Sequence, residues 1–170
     1  DVSAGWTPVP RAAEAGEVAG VLDACNGRLD PASVASGSVF GASAHVEFRG
    51  SVGLALALVD ASVMTCTARL TADGWYAFGL ATRPMSDSEP VLQGGGGEDS
   101  MTWLVHGANR SAARVELTVP GYPTITATVV DGVYVAWWPD QNRSPAGGDL
   151  PELRIDIYDA GGALIDTITW

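Results

Sequence analysis

The sequence predicts a mainly β, α+β fold: an N-terminal helix packed on an antiparallel meander, followed by a β-sandwich-like antiparallel half. Three observations predict it. Apolar residues alternate with polar or small ones through one short run after another. Gly, Asp, Asn and Pro punctuate those runs at regular spacing. Only one stretch, near the N terminus, carries apolar residues at helical period. The chain has 170 residues, 46% of them hydrophobic and 17% charged, which excludes intrinsic disorder and allows a sizeable core.

Residues 1–11 read as an extended lead-in, because Pro8 and Pro10 disfavour helix in the residues before them. From Ala12 to about Cys25, Val18, Val21, Leu22 and Cys25 fall at i, i+3, i+4 and i+7, and Asn26-Gly27 supplies a stop. Arg28 to Ala42, with Pro31 and several Ser and Gly, lacks a period and reads as an irregular crossing. Ala44 to Arg49 alternates as a half-exposed strand, with Val46 and Phe48 inward and His45, Glu47 and Arg49 outward. Val52 to Val59 has a bulky face of Leu54, Leu56 and Leu58 and a smooth face of Gly53, Ala55 and Ala57 that can accept a helix closely. Turns at Asp60-Ala61-Ser62 and Ala72-Asp73-Gly74 lead into strands Val63 to Leu70 and Trp75 to Ala81.

Arg83 to Ser100 interrupts the pattern with Pro84, Pro90, Gly94 to Gly97 and the acids Asp87, Glu89, Glu98 and Asp99. It reads as a flexible, acidic, Gly-rich loop over 84–100. Beyond it, strands are expected at Met101 to His106, Arg114 to Val119, Thr124 to Val130, Val133 to Trp138, Glu152 to Tyr158 and Leu164 to Thr169. Asp131-Gly132 between two β-rich runs predicts a type I′ hairpin. The chain thus divides into a helix-plus-sheet part (1–83), the loop (84–100) and an antiparallel β part (101–170), read either as two subdomains or as one continuous domain.

The net charge of −11 comes from 20 acids against nine basic residues, all of them Arg. Acidic excess in both halves excludes attraction to nucleic acid or to anionic lipid. The longest apolar run, Val52 to Val59, is a strand's length and far short of the ~20 residues that cross a bilayer. Two cysteines, Cys25 and Cys66, are too far apart for a CxxC redox pair and have no His partners for a zinc site. The choice lies between a bridge and two buried thiols. Cys25 continues the apolar face of the helix and Cys66 shares a strand face with Met64, Ala68 and Leu70, so both point into one core and the bridge is favoured. A disulfide implies an extracellular or cell-surface setting. The opening Asp1 to Trp6 has no basic n-region, so a signal or membrane anchor is expected to have been removed upstream.

The segment Ile125-Thr126-Ala127-Thr128-Val129-Val130-Asp131-Gly132-Val133-Tyr134-Val135-Ala136-Trp137-Trp138-Pro139 resembles a motif near the end of secreted or membrane-anchored proteins of high-GC Gram-positive bacteria. Those proteins are also similar upstream, in a strand hairpin with a single cysteine, here Thr65-Cys66-Thr67. The resemblance implies a cell-envelope ectodomain and brings no activity with it.

Chemistry-bearing patterns are sparse. Ser43 and His45 share a strand direction, but Gly41-Ala42-Ser43-Ala44-His45 is not a nucleophile elbow, and a catalytic base needs an orienting acid that spacing does not supply. Glu98 and Asp99 offer an alternative carboxylate pair. His45, Glu47 and a distant His106 lack metal-site spacing, and the acids of 84–100 lack the order of a calcium loop. Gly94 to Gly97 is followed by Glu98-Asp99, which would repel a phosphate. The two formal sequons, at Asn109 and Asn142, matter only in a eukaryotic secretory host. Tyr134, Trp137 and Trp138 are the possible ligand-binding residues, as an exposed platform for sugars or peptides; the competing reading is that the tryptophans plug the core. The sequence therefore predicts a non-catalytic extracytoplasmic sensing or ligand-binding domain without metal or cofactor, its partner a protein or glycan, with a secreted hydrolase or a cell-wall polysaccharide binder as alternatives.

Overall fold

The computed structural model describes residues 5–29, 40–59, 62–84, 89–97, 100–139 and 152–170. The chain forms two compact units that divide between residues 85 and 86, with residues 7–10 belonging to the second.

The first unit is a helix on a five-stranded antiparallel sheet. Its strands β1 (Arg11–Ala12), β2 (His45–Arg49), β3 (Val52–Val59), β4 (Ser62–Thr71) and β5 (Gly74–Pro84) lie in chain order. Helix α1 spans Ala15–Gly27, three residues later than the periodicity placed it, because Arg11 and Ala12 pair with Phe48 and Glu47 of β2. The lead-in therefore ends as an edge strand. Glu14 caps the helix, and its N–H donates to the Glu17 carboxylate at 2.9 Å.

The smooth face of β3 takes the helix, as its sequence predicts. A β-carbon on Gly53 would fall 2.7 Å from Val21 Cγ2, and one on Gly20 would fall 2.0 Å from Trp75 Nε1. Helix, strand and Trp75 approach to distances that only glycine allows. Val21, Cys25, Phe40, Val46, Phe48, Ala55, Ala57, Cys66, Ala68 and Ala77 form the core on this side. Cys25 and Cys66 are joined by a disulfide with Cα atoms 6.0 Å apart, and both are buried. Leu70, expected on the Cys66 face, lies near the hairpin tip and is 64% exposed.

The opposite face corrects the sequence reading. His45 is exposed, but Glu47 and Arg49 are 2% and 0% exposed rather than outward in solvent. Period-two alternation distinguishes the two faces of a strand, but it does not show that one face is wet.

Arg11 holds the Glu17 carboxylate with two hydrogen bonds of 2.7 and 2.8 Å while its guanidinium lies over Phe48. These bonds, with the Glu14 N–H, lower the Glu17 pKa to about 2. The carboxyl titrates lower folded than unfolded, so its contribution is complete above the ordinary carboxyl range and is lost as pH falls toward 2. Arg11→Ala is expected to raise the Glu17 midpoint toward the ordinary range in a carboxyl NMR titration, short of full recovery because the Glu14 N–H still donates to it. The stability cost at neutral pH is under ~1 kcal/mol, since the pair is partly exposed.

The second unit contains two four-stranded antiparallel sheets. One orders β10 (Thr128–Val130), β11 (Val133–Pro139), β7 (Ser100–Ala108) and β6 (Val91–Gly97); the other orders β13 (Leu164–Thr169), β12 (Arg154–Tyr158), β8 (Arg114–Thr118) and β9 (Ile125–Thr126). The expected strand Thr124 to Val130 is split. Residues 125 and 126 pair with β8, residues 128–130 pair with β11, and the Ala127 N–H donates to Val115 O at 2.9 Å. A single run of chain thus passes from one sheet to the other, as at the corner of a sandwich. The hairpin at Asp131-Gly132 has positive φ at both residues (50° and 76°), the type I′ geometry.

The expected loop over 84–100 instead contains β6, whose Gly94 to Gly97 pair with Trp103 to Ser100. A β-carbon on Gly94 would lie 3.4 Å from the Trp103 ring. A cross-strand aromatic covering a bare glycine offsets the poor strand propensity that local sequence registers. The same device recurs on the next pair of strands. A β-carbon on Gly107 would fall 2.3 Å from Tyr134 Oη and 3.0 Å from Pro90 Cβ. Gly107→Ala is expected to destabilise by about 1–3 kcal/mol through overpacking, read as a lowered urea midpoint with an unchanged slope.

Candidate functional site

The three aromatics proposed as a platform are core residues. Tyr134, Trp137 and Trp138 are each 1% exposed, and every residue of β11 is buried. Both faces of β11 are covered, so neither tryptophan offers a ring to a ligand. Burial raises the Tyr134 phenol pKa well above its ordinary value, with Asp166 adding to the rise. The exposed platform expected of these residues is absent, because their rings fill the core.

Ser43 is exposed in the approach to β2, and His45 at its start directs Nε2 toward Glu47 Oε2 at 3.8 Å. Glu47 Oε1 lies 3.6 Å from Arg49 Nε. The carboxylate near His45 is thus present, though the separation exceeds hydrogen-bonding distance and Glu47 is shared with Arg49. His106 sits on β7 at 4% exposure. Among the described residues, no group of three His, Cys, Asp or Glu side chains could hold a metal. Of the acids read in the 84–100 segment, Glu89 is exposed, and Asp87, Glu98 and Asp99 lie outside the described residues, as does Asn142.

A surface that no sequence motif marks lies on the β13-β12-β8-β9 sheet. β8 and β12 alternate strictly: Val115, Leu117, Ile155 and Ile157 are buried, while Arg114, Glu116, Thr118, Arg154, Asp156 and Tyr158 face outward. Register aligns the outward residues in rows across the strands. Thr118, Arg154 and Thr169 form one row, and Glu116, Asp156 and Thr167 form the next. The third pairs Arg114 with Tyr158, and Tyr158 with Leu164.

Neighbouring rows are tied by charge. Arg154 donates through Nε and Nη2 to Asp156 at 2.9–3.0 Å, and the Thr167 hydroxyl donates to the same carboxylate at 2.7 Å. The Arg154 hydrogen bonds hold the Asp156 carboxyl below its ordinary pKa against the opposing effect of desolvation. Arg114 pairs with Glu116 and stacks over the Tyr158 ring at 3.8 Å. Ion pairs of this kind fix side-chain geometry more than they stabilise the fold.

At the Trp170 end, Thr118, Pro120, Glu152, Leu153, Arg154, Thr169 and Trp170 line an open cleft of about 320 Å³. The Trp170 backbone is held by reciprocal hydrogen bonds with Leu153 at 2.9 and 3.3 Å, and its side chain is 42% exposed. The available sequence signal was the Arg-x-acid spacing, Arg114-Val115-Glu116 and Arg154-Ile155-Asp156, which is visible only when two strands are read together. No protein-family model, curated protein or solved structure matches this chain.

Proposed function

We propose that this chain is a non-catalytic, extracytoplasmic ligand-binding or sensing domain of a cell-envelope protein. The observation that carries the reading is the buried bridge between Cys25 of α1 and Cys66 of β4. A structural disulfide persists only where the surroundings are oxidising. Two observations accompany it: no helix among the described residues is long and apolar enough to cross a membrane, and an outward polar sheet face borders an open cleft. The resemblance through Ala127 to Pro139 points to the same setting.

The test is alkylation of the unreduced protein, isolated from its own cells and unfolded in denaturant so that buried thiols would react, followed by mass spectrometry, with the protein located by cell fractionation. No label on Cys25 or Cys66 and recovery outside the cytoplasm are expected. Two alkylatable thiols overturn the assignment.

The hydrolase alternative has one observation in its favour, the His45–Glu47 proximity next to Ser43. A fluorophosphonate probe tests it: labelling of Ser43 that depends on His45 would replace the binding reading, and unlabelled protein retires the alternative.

A further inference from the structure

We propose that the outward face of the β13-β12-β8-β9 sheet, with the cleft at Trp170, binds a neutral glycan chain. This rests on the binding-domain reading above and supplies its ligand class.

The first support is charge. The face carries two cations and two central carboxylates, matched as Arg114 with Glu116 and Arg154 with Asp156, and the cleft adds the exposed carboxylate of Glu152. An anionic ligand would have to displace a carboxylate and approach a chain of net charge −11. On the sheet face, a cationic ligand would have to compete with a bidentate guanidinium for Asp156. A ligand that forms hydrogen bonds without a formal charge loses nothing to either pair.

The second is the donor and acceptor inventory. The hydroxyls of Thr118 and Thr169 flank Arg154, whose guanidinium has a second terminal nitrogen beyond the two groups that hold Asp156. Hydroxyl, guanidinium and carboxylate groups set in rows on one sheet face complement the hydroxyls of a pyranose, which both donate and accept. The rows run across strands ~4.8 Å apart, close to the length of one sugar ring in an extended chain.

The third is the aromatic. Trp170 is 42% exposed and lines an open cleft of about 320 Å³, which gives the cleft an accessible aromatic surface against which the C–H groups of a sugar can pack. An open trough suits a segment of polymer passing through, whereas a small molecule is usually enclosed on most of its surface.

The test is titration calorimetry of the intact, disulfide-bonded chain with tetrasaccharides of glucose, mannose and N-acetylglucosamine, using an oligogalacturonate as the anionic control. Saturable binding of at least one neutral oligomer is expected, insensitive to added salt. Trp170→Ala should weaken it about tenfold. The double variant Thr118→Val with Thr169→Val, which keeps side-chain volume, should weaken it comparably. Absence of saturable binding by every neutral oligomer at millimolar concentration overturns the proposal. So does binding that falls steeply with salt, or binding unchanged in both variants. Such a failure leaves the alkylation result untouched, and free thiols would remove the extracytoplasmic address without altering the titration.

Discussion

Replacing Cys25 and Cys66 together by alanine is expected to destabilise the helix-bearing unit by about 4 kcal/mol. The bridge closes a sequence separation of 41 residues, and in the chain-entropy model a loop of that length restricts the unfolded ensemble by this amount. The loss should appear as a lower midpoint in urea unfolding followed by far-ultraviolet circular dichroism, with a steeper slope because the unbridged chain exposes more surface when unfolded. Reduced wild-type protein should behave like the double variant. A difference below ~1 kcal/mol between oxidised and reduced protein would show that the helix is held to the sheet by Val21, Phe48 and Trp75 packing alone. Both sulfurs are buried, so mild reductant should act slowly until the unit opens.

The second large effect is expected at Trp138. Trp138→Ala should cost about 3–5 kcal/mol, the range for deleting a buried large aromatic, because the surroundings collapse only partly into the space it leaves. Trp138 pairs with Trp103 across β7 and β11 and is 1% exposed. Trp138→Phe should recover a substantial part of the loss. Trp170→Ala, at 42% exposure, should stay within about 0.5–1 kcal/mol of the parent protein in the same urea experiment. The contrast separates core from surface tryptophan. A Trp138→Ala protein of parental stability would contradict the buried placement of β11, and a Trp170→Ala protein destabilised as strongly as Trp138→Ala would make Trp170 a structural residue.

The motif around Trp137 and Trp138 shows why a sequence pattern can be conspicuous without being a site. Ala127 to Pro139 crosses between two sheets, turns through two positive-φ residues and returns as a strand buried on both faces. Each step restricts residue type for packing reasons: a small residue at Ala127, Asp-Gly in the turn, and large apolar side chains to fill the interior. These residues therefore serve the packing of β11 rather than a ligand-facing surface.

Local sequence identified the helix, the type I′ turn and the smooth face of β3, because each depends on residues close in the chain or on a single face of one element; the cysteine bridge, across 41 residues, was legible because the chain holds only two cysteines and each lies on the apolar face of its own element. Tertiary structure decided the rest. Gly94 to Gly97 form a strand because Trp103 and its neighbours on β7 supply partners that short-range propensity does not see. Glu47 and Arg49 are buried although alternation turned them outward, since periodicity assigns residues to faces and only packing determines which faces are wet. The polar rows of β8, β12 and β13 exist only after β8 comes into register with the β12–β13 hairpin much later in the chain, which places Arg154 between Thr118 and Thr169.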